Sequence, residues 1–436
     1  MRSKEELKRM ACAAIDARRD DILAFADSVA AEPELGFKEY KTAEKFAALL
    51  ESLGRKPRKG VARTGVVEEY RGASSEIRVA VMGELDAILV ADHPDADKLT
   101  GAVHACGHNA QLASMAAIAF ALHDTDLMDS LDGDVVLMGV PAEDYVEVTY
   151  LKKLREDGEL WFLGGKQEFI RLGEFDDVDI SVMQHSAVGA PGFKAGATSV
   201  NTGFTVKLIQ YKGKAAHAGA APHEGVNALN AAMLGLMAVH AQRETFRDED
   251  HIRVHPIITK GGDIVNTVPA DVRLESYVRV GSTGAIMSAS EKVNRAFRSG
   301  GDAVGAECEI LELPGYLPVV QCEDLNDLMF RELKSLLGDE VMKVCPGFGG
   351  GSSDQGDVSH LIPSIQSYFA GVEGGLHAKS FCMKDKELAV ITAAKAMLCL
   401  VIELLCDGAA EGKRVKNGFK PVLTKEQYLR EWGRLE

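Results

Sequence analysis

Residues 202–213, TGFTVKLIQYKG, alternate apolar and polar side chains, the period of an antiparallel strand with one buried face and one wet face. Upstream the texture differs. GVVEEY (65–70) and IRVAVMG (77–83) are strand-like, and DVVLMGV (134–140) and DISVMQH (179–185) read as buried strands. Helical patterns separate them, so they suit a largely parallel sheet in an α/β layer. Two helices are expected before that sheet, the second being KEYKTAEKFAALLESLG (38–54) with a terminal glycine stop. Another helix, rich in small residues, should follow HACGH (104–108).

Downstream of the alternating stretch come a helix (224–243), strands 252–262 and 272–280, a second helix (284–299) and a strand (306–313). Together with 202–213 these make four strands and two helices in the order of a small ferredoxin-like sandwich. After about residue 312 the α/β texture returns and ends in the apolar helix KELAVITAAKAMLCLVIELLC (386–406). The expected architecture is therefore an α/β domain in two parts, residues 1–200 and 313–436, interrupted by an α+β lid over 201–312.

The 436 residues are 46% hydrophobic and 26% charged, a globular composition with a sizeable core. With 49 basic and 65 acidic residues the net charge is −16, which repels phosphate backbones and anionic lipid. Nucleic acid and membrane are thus excluded as expected partners, and no apolar run is expected to span a bilayer. The N-terminal MRSKEELKRMACAAIDARRDD is expected to be a surface helix rather than a leader, which points to the cytoplasm. Eight cysteines are irregularly spaced and none forms CxxC. Cys399 and Cys406 read as small core residues, whereas Cys106 stands between two histidines.

Of twelve histidines, His93, His123, His240, His251 and His255 lack acidic or cysteine neighbours and are expected at the surface. Four places differ. In HACGH, Cys106 and His108 can both face one ion from a glycine-containing turn, or be a packed cysteine and a helix-capping histidine. In PAED (141–144), Glu143 and Asp144 follow a buried strand. They are an exposed acidic turn or, if buried, a pair that needs a cation. His185 ends the run DISVMQH, and His377 lies in the glycine-rich GGLHAKSF (374–381). All four sites fall at or beyond expected strand ends, where α/β sheets place their sites.

The blocks GELDA (83–87), HACGHNAQ (104–111), PAED, MQH (183–185), KGKAAHAG (212–219), GGDIVNTVP (261–269), SSDQGDVSHLIP (352–363) and LHAKSF (376–381) occur in one order. This set resembles the aminoacylase-type amidohydrolases, dinuclear metallopeptidases that include auxin-conjugate and aminobenzoyl-glutamate hydrolases. The resemblance runs from about residue 20 to 405. It implies a zinc-peptidase-like catalytic domain and a lid that also dimerises. It implies that Cys106, His108, Asp144, His185 and His377 hold two divalent ions, Mn or Zn with Co as a further option, and that Cys106 bridges them. Glu143 would be the general base and Asp86 would steady a ligand. His217 would reach the partner subunit's site and stabilise the oxyanion. Asn266 and Arg279 would bind a substrate carboxylate and help close the lid.

The chain departs from that pattern at Asp144, where a second glutamate is usual, at MQHS in place of MHP, and at Asn109 in place of aspartate. The segment 88–103 also lacks the usual LPI. The function expected from the resemblance is hydrolysis of a C–N bond, the amide of a small N-acyl amino acid or dipeptide-like molecule with a free carboxylate, by a homodimer or higher homo-oligomer. Two rivals are a hydrolytic deaminase of aromatic amines on the same site and a non-catalytic binding protein of small molecules. Glu143 weighs against the latter, because a binding module has no use for a general base.

Overall fold

The structure, a computed structural model, describes residues 2–345 and 351–433. The chain forms two compact units, one of Met1–Val200, Val320–Gly349 and Asp357–Lys425, the other of Asn201–Val319, Gly350–Gly356 and Glu426–Glu436.

In the first unit the apolar runs become the centre of a nine-stranded sheet. Asp134–Val140, Arg78–Glu84, Ile180–Val188 and Ser364–Glu373 lie side by side in that order, all parallel. Antiparallel strands Gly65–Tyr70 and Arg58–Val61 extend one side, and Ala195–Thr198 with Val341–Val344 the other. The mostly parallel α/β layer is as expected. Asp134–Val140 is buried at every position, which is why its sequence shows no alternation.

The helix His108–Asp124 is buried from His108 through Leu122, so it too lacks an amphipathic pattern. Its alanines and serine allow it to lie close to the sheet. A Cβ on Gly83 would stand 3.3 Å from Leu112 Cα. The helix starts from Gly107, whose φ of 92° is left-handed. A Cβ there would also come 2.3 Å from Ser186 Oγ, so only glycine fits.

Three expectations need correction. Three helices precede the sheet, Lys4–Ala17, Arg19–Ala30 and Tyr40–Ser52, the first started by a capping box between Ser3 and Glu6. His93 is buried, because its Nε2 lies 2.9 Å from the Phe381 carbonyl oxygen, a partner remote in sequence. The segment Glu387–Leu405 is long and apolar enough to cross a membrane, with mean hydropathy 2.2, yet 83% of it is buried inside the protein as a core helix. It begins with a π-helical turn, Glu387–Thr392, and continues as the helix Ala393–Leu405.

The second unit has the antiparallel sheet order Arg253–Lys260, Asp271–Val280, Gly203–Lys212, Glu307–Pro314. With helices Ala228–Ala241 and Thr283–Val304 it follows the expected ferredoxin-like order. The two helices touch closely, since a Cβ on Gly300 would come 2.7 Å from Gly235 Cα. Lys207 is fully buried, and its Nζ donates to Glu312 Oε2 and Ser290 Oγ, both at 2.6 Å. Ser290 and Asn294 also donate to the same carboxylate.

Breaking such a buried pair from one side strands a charge. Lys207→Met should therefore lower unfolding stability by about 3 kcal/mol, whereas Lys207→Met with Glu312→Met should lie closer to wild type. Urea denaturation of the two variants checks this, and equal losses would show that the pair has no net coupling.

Candidate metal centre

The parallel strands deliver their chemistry at their carboxyl ends. Asp86 follows Arg78–Glu84, Glu143 and Asp144 follow Asp134–Val140, His185 lies near the end of Ile180–Val188, and His377 follows Ser364–Glu373. Cys106 and His108 come from the turn before the buried helix His108–Asp124. Residues spread over 292 positions, from Asp86 to His377, thus meet at the carboxyl end of the central strands.

Cys106 Sγ lies 3.4 Å from His185 Nε2 and 3.2 Å from His377 Nε2. His377 Nε2 is 3.4 Å from Asp144 Oδ1. The ligand atoms of Cys106, His108 and His185 lie within 4.8 Å of one another, and so do those of Cys106, Asp144 and His377. Cys106 belongs to both groups. The structure therefore brings together all five ligands expected from the sequence. His377 is the most open of them, its side chain 45% exposed, while His108 is fully buried.

The imidazoles are oriented from behind. His108 Nδ1 lies 3.0 Å from the Asp86 carbonyl oxygen and 3.1 Å from Asp86 Oδ1, so it carries the proton and donates to them. His185 Nδ1 donates to the Ser186 carbonyl at 2.8 Å. Each Nε2 then faces inward. His108 Nε2 makes no hydrogen bond, although it stands 3.0 Å from Glu84 Oε2 and 3.7 Å from Glu143 Oε2. Asp86 does a second job, since its Oδ2 accepts the Asp144 amide N–H at 2.8 Å.

Electrostatics favour a cation here. Burial, followed by the charges of Glu84 and Asp144, raises the Glu143 carboxyl well above the usual carboxylate range. Burial and then Asp144 push the Cys106 thiol up. Burial opposes charge on His108, but Cys106, Glu84 and Asp86 outweigh it and raise its pKa. Crowded anions and an orphaned imidazole nitrogen are what a divalent ion would relieve. Thiolate, imidazole and carboxylate together suit Zn²⁺, with Mn²⁺ and Co²⁺ compatible.

Two neighbours escaped the sequence reading. Glu84, in GELDA, is fully buried and takes Lys166 Nζ at 2.6 Å and Gln111 Nε2 at 2.7 Å. Burial works against its charge, but Lys166 and His108 prevail and lower it to about 2. Lys166, in the helix Gly165–Leu172, is likewise fully buried. The available signal was a charged residue inside an otherwise apolar context, which does not say where its partner lies.

The remaining expected site residues belong to the second unit. His217 is exposed, and its Nδ1 accepts the Gly219 and Ala220 amides at 3.2 and 3.1 Å. It sits beside Asn266, because His217 bridges Thr267 and Ala218 N–H donates to the Asn266 carbonyl. Arg279 donates to Ser352 Oγ at 2.7 Å and stacks on Phe204 and Tyr277. Glu275, on the same strand face as Arg279, has its carboxyl raised by burial.

Residues 200–302 match the family of peptidase dimerisation domains. The whole chain is similar to the Xaa-Arg dipeptidase of Mus musculus, 28% identical over 98% of this chain and 95% of that protein. It is also similar to the N-acyl-L-amino acid amidohydrolase of Geobacillus stearothermophilus, 25% identical over 74% and 82% respectively. Among solved structures, the Bacillus subtilis YXEP protein, a dinuclear metal binding peptidase from the M20 family, shares the fold. Its TM-score is 0.66 at 20% identity, covering 89% of this chain and 99% of that one.

The low carboxyl pKa of Glu84 has a consequence for acid stability. An acid whose folded pKa lies near 2, against about 4.5 unfolded, stabilises the fold above that unfolded value and ceases to as pH falls toward 2. Between pH 6 and 3, metal-free wild type should lose about 2 kcal/mol more stability than Glu84→Gln. Parallel acid-dependent slopes in chemical denaturation would show that the ion pair does not set this sensitivity.

Proposed function

We propose that the chain is a metal-dependent hydrolase of C–N bonds, of the kind of the aminoacylase-type amidohydrolases and M20 metallopeptidases it resembles, and that it cleaves the amide of a small N-acyl amino acid or dipeptide with a free carboxylate. The observation that carries this reading is the convergence of two ligand groups on Cys106 with Glu143 beside them. We assign Cys106, His108, Asp144, His185 and His377 as ligands of two divalent ions, with Cys106 shared. Bound there, the ions would lower the pKa of water toward neutrality and polarise the scissile carbonyl.

The protein's own groups then divide the work. Glu143 accepts the proton of the attacking water and returns it to the departing nitrogen. Asp86 fixes the His108 tautomer and the Asp144 amide. We assign Arg279 and Asn266 to the substrate carboxylate, because a guanidinium fork can donate two parallel hydrogen bonds to it. His217 supplies a donor to the developing oxyanion from the partner subunit of a homodimer.

The dimer reading has support in the second unit itself. Met233, Leu234 and Met237 are exposed on one helix, and Ile257 and Ile258 on the edge strand Arg253–Lys260. An unpaired edge with apolar side chains calls for a partner. We place the enzyme in the cytoplasm, in keeping with free cysteines throughout the described residues.

Adjacent carboxylates give the sharpest test. Glu143→Gln should cut turnover by about 10²-fold or more with metal content unchanged, since shape is kept while the proton acceptor is lost. Asp144→Ala should instead lower metal occupancy, read by elemental analysis. A Glu143→Gln protein within about tenfold of wild type would remove that residue from the base role.

Substrate charge is tested separately. Replacing a good substrate by its methyl ester should cost about tenfold or more in kcat/KM, the worth of a charge-assisted pair. Equal efficiency would mean that the pocket reads another group.

A further inference from the structure

The loop Glu34–Glu39, with sequence ELGFKE, stands before the helix Tyr40–Ser52 and is not among the residues assigned above. Glu39 flanks that helix yet makes no side-chain cap to it. Glu34 does the capping instead, its Oε2 accepting the Lys41 and Thr42 amides, both at 2.9 Å, and the Thr42 hydroxyl at 3.1 Å. The Glu39 carboxylate is freed to turn inward, where it is completely buried. Its Oε1 accepts the Ala142 amide N–H at 2.8 Å, and its Oε2 accepts the Thr64 hydroxyl at 2.7 Å.

Ala142 is the residue immediately before Glu143 and Asp144. Its φ is 48°, in the left-handed region that a non-glycine residue avoids. Such a conformation persists only where the surroundings hold it. Gly36 backs the same turn, since a Cβ on it would meet Ala142 Cβ at 2.9 Å. The loop grips the neighbouring strand end as well, for the Glu34 carbonyl accepts the Ala87 amide, next to Asp86, at 2.7 Å.

We propose that Glu39 is a positioning residue, whose carboxyl clamps Ala142 in its left-handed conformation and so aims Glu143 and Asp144 into the metal centre. The consequence for metal and turnover rests on the hydrolase reading of the site, but the clamp itself does not. Burial, helped by the charge of Asp86, raises the Glu39 carboxyl to about 8. The group therefore serves as a hydrogen-bonding fixture, and an amide can take its place. Glutamine at this position keeps an oxygen for the Ala142 N–H and offers an N–H to the Thr64 oxygen.

The test compares Glu39→Ala, Glu39→Gln and Thr64→Val in the full-length protein. Hydrogen–deuterium exchange of residues 139–146 in metal-free protein reads the clamp alone. Glu39→Ala should exchange there about tenfold faster, Glu39→Gln within about twofold of wild type, and Thr64→Val in between. In Mn²⁺ titrations against a chelator, Glu39→Ala should bind about tenfold more weakly, the usual loss when an outer partner of a ligand is removed. Its kcat should fall by a similar factor while KM stays within about twofold, and Glu39→Gln should recover both.

Unchanged exchange over 139–146 in Glu39→Ala overturns the proposal, and so does Glu39→Gln losing as much as Glu39→Ala. Should Glu39→Ala fail to fold, wild-type exchange in Thr64→Val overturns it equally. Wild-type protein that binds no Mn²⁺ would instead overturn the metal-hydrolase reading, with the exchange data still deciding the clamp.

Discussion

Like charges gathered out of water are the condition that the first unit must satisfy. Glu84, Asp86, Glu143 and Asp144 are all buried around His108. Two carboxylates about 4 Å apart repel by about 4 kcal/mol at an effective dielectric of 20, comparable with a large share of a domain's stability. The protein answers the first charge with a buried ammonium, Lys166, at 2.6 Å from Glu84. Glu143 feels the same crowding, since burial and then the charges of Glu84 and Asp144 raise its carboxyl well above the usual range. A divalent ion beside Cys106 would attract each of these carboxylates and offset their mutual repulsion.

The same constraint explains where the backbone is strained. Bringing side chains from several strand ends to one point requires the chain to turn sharply just before each. Ala142 and His377 adopt φ of 48° and 58°, and Gly107 adopts 92°, each at or within two residues of a proposed ligand. These turns are anchored by single hydrogen bonds to well-packed partners. Glu39 holds the Ala142 amide, and the Ala105 carbonyl accepts the His377 amide at 2.9 Å. Local strain is thus stored where the site is built and is supported by rigid strands behind it.

What could be read from the sequence was periodic or clustered. The change of period at residues 202–213 and the buried runs before it are properties of neighbouring residues, so the α/β layer and the ferredoxin-like unit were legible. The five metal-ligand candidates stood out because each interrupts an apolar run or a glycine-rich turn with a coordinating group. Glu84, Lys166 and Glu39 did not, because their meaning lies in partners 82 and 103 positions away, Glu84 with Lys166 and Glu39 with Ala142. His93 was misread for the same reason. The core helix Glu387–Leu405 escaped notice as an apolar span because Lys395 and Glu403 interrupt it. In the fold those charges meet Asp16 and Lys8, at 2.5 and 2.7 Å.

The two units differ in what they leave unsatisfied, and that difference orders the functional argument. The first unit gathers buried carboxylates around His108. The second pairs its buried Lys207 with Glu312 and leaves apolar surface in the open. Met237 is 67% exposed, and Val265, next to Asn266, is 95% exposed. Burying apolar area contributes about 25 cal/mol per Å², so side chains of this size left in water forgo a sizeable gain unless another body covers them. A divalent ion would answer the first need and a second copy of the chain would answer the other. His217 and Asn266 lie on adjoining segments beside that exposed loop. The apolar surface and these two segments therefore belong to one face of the second unit.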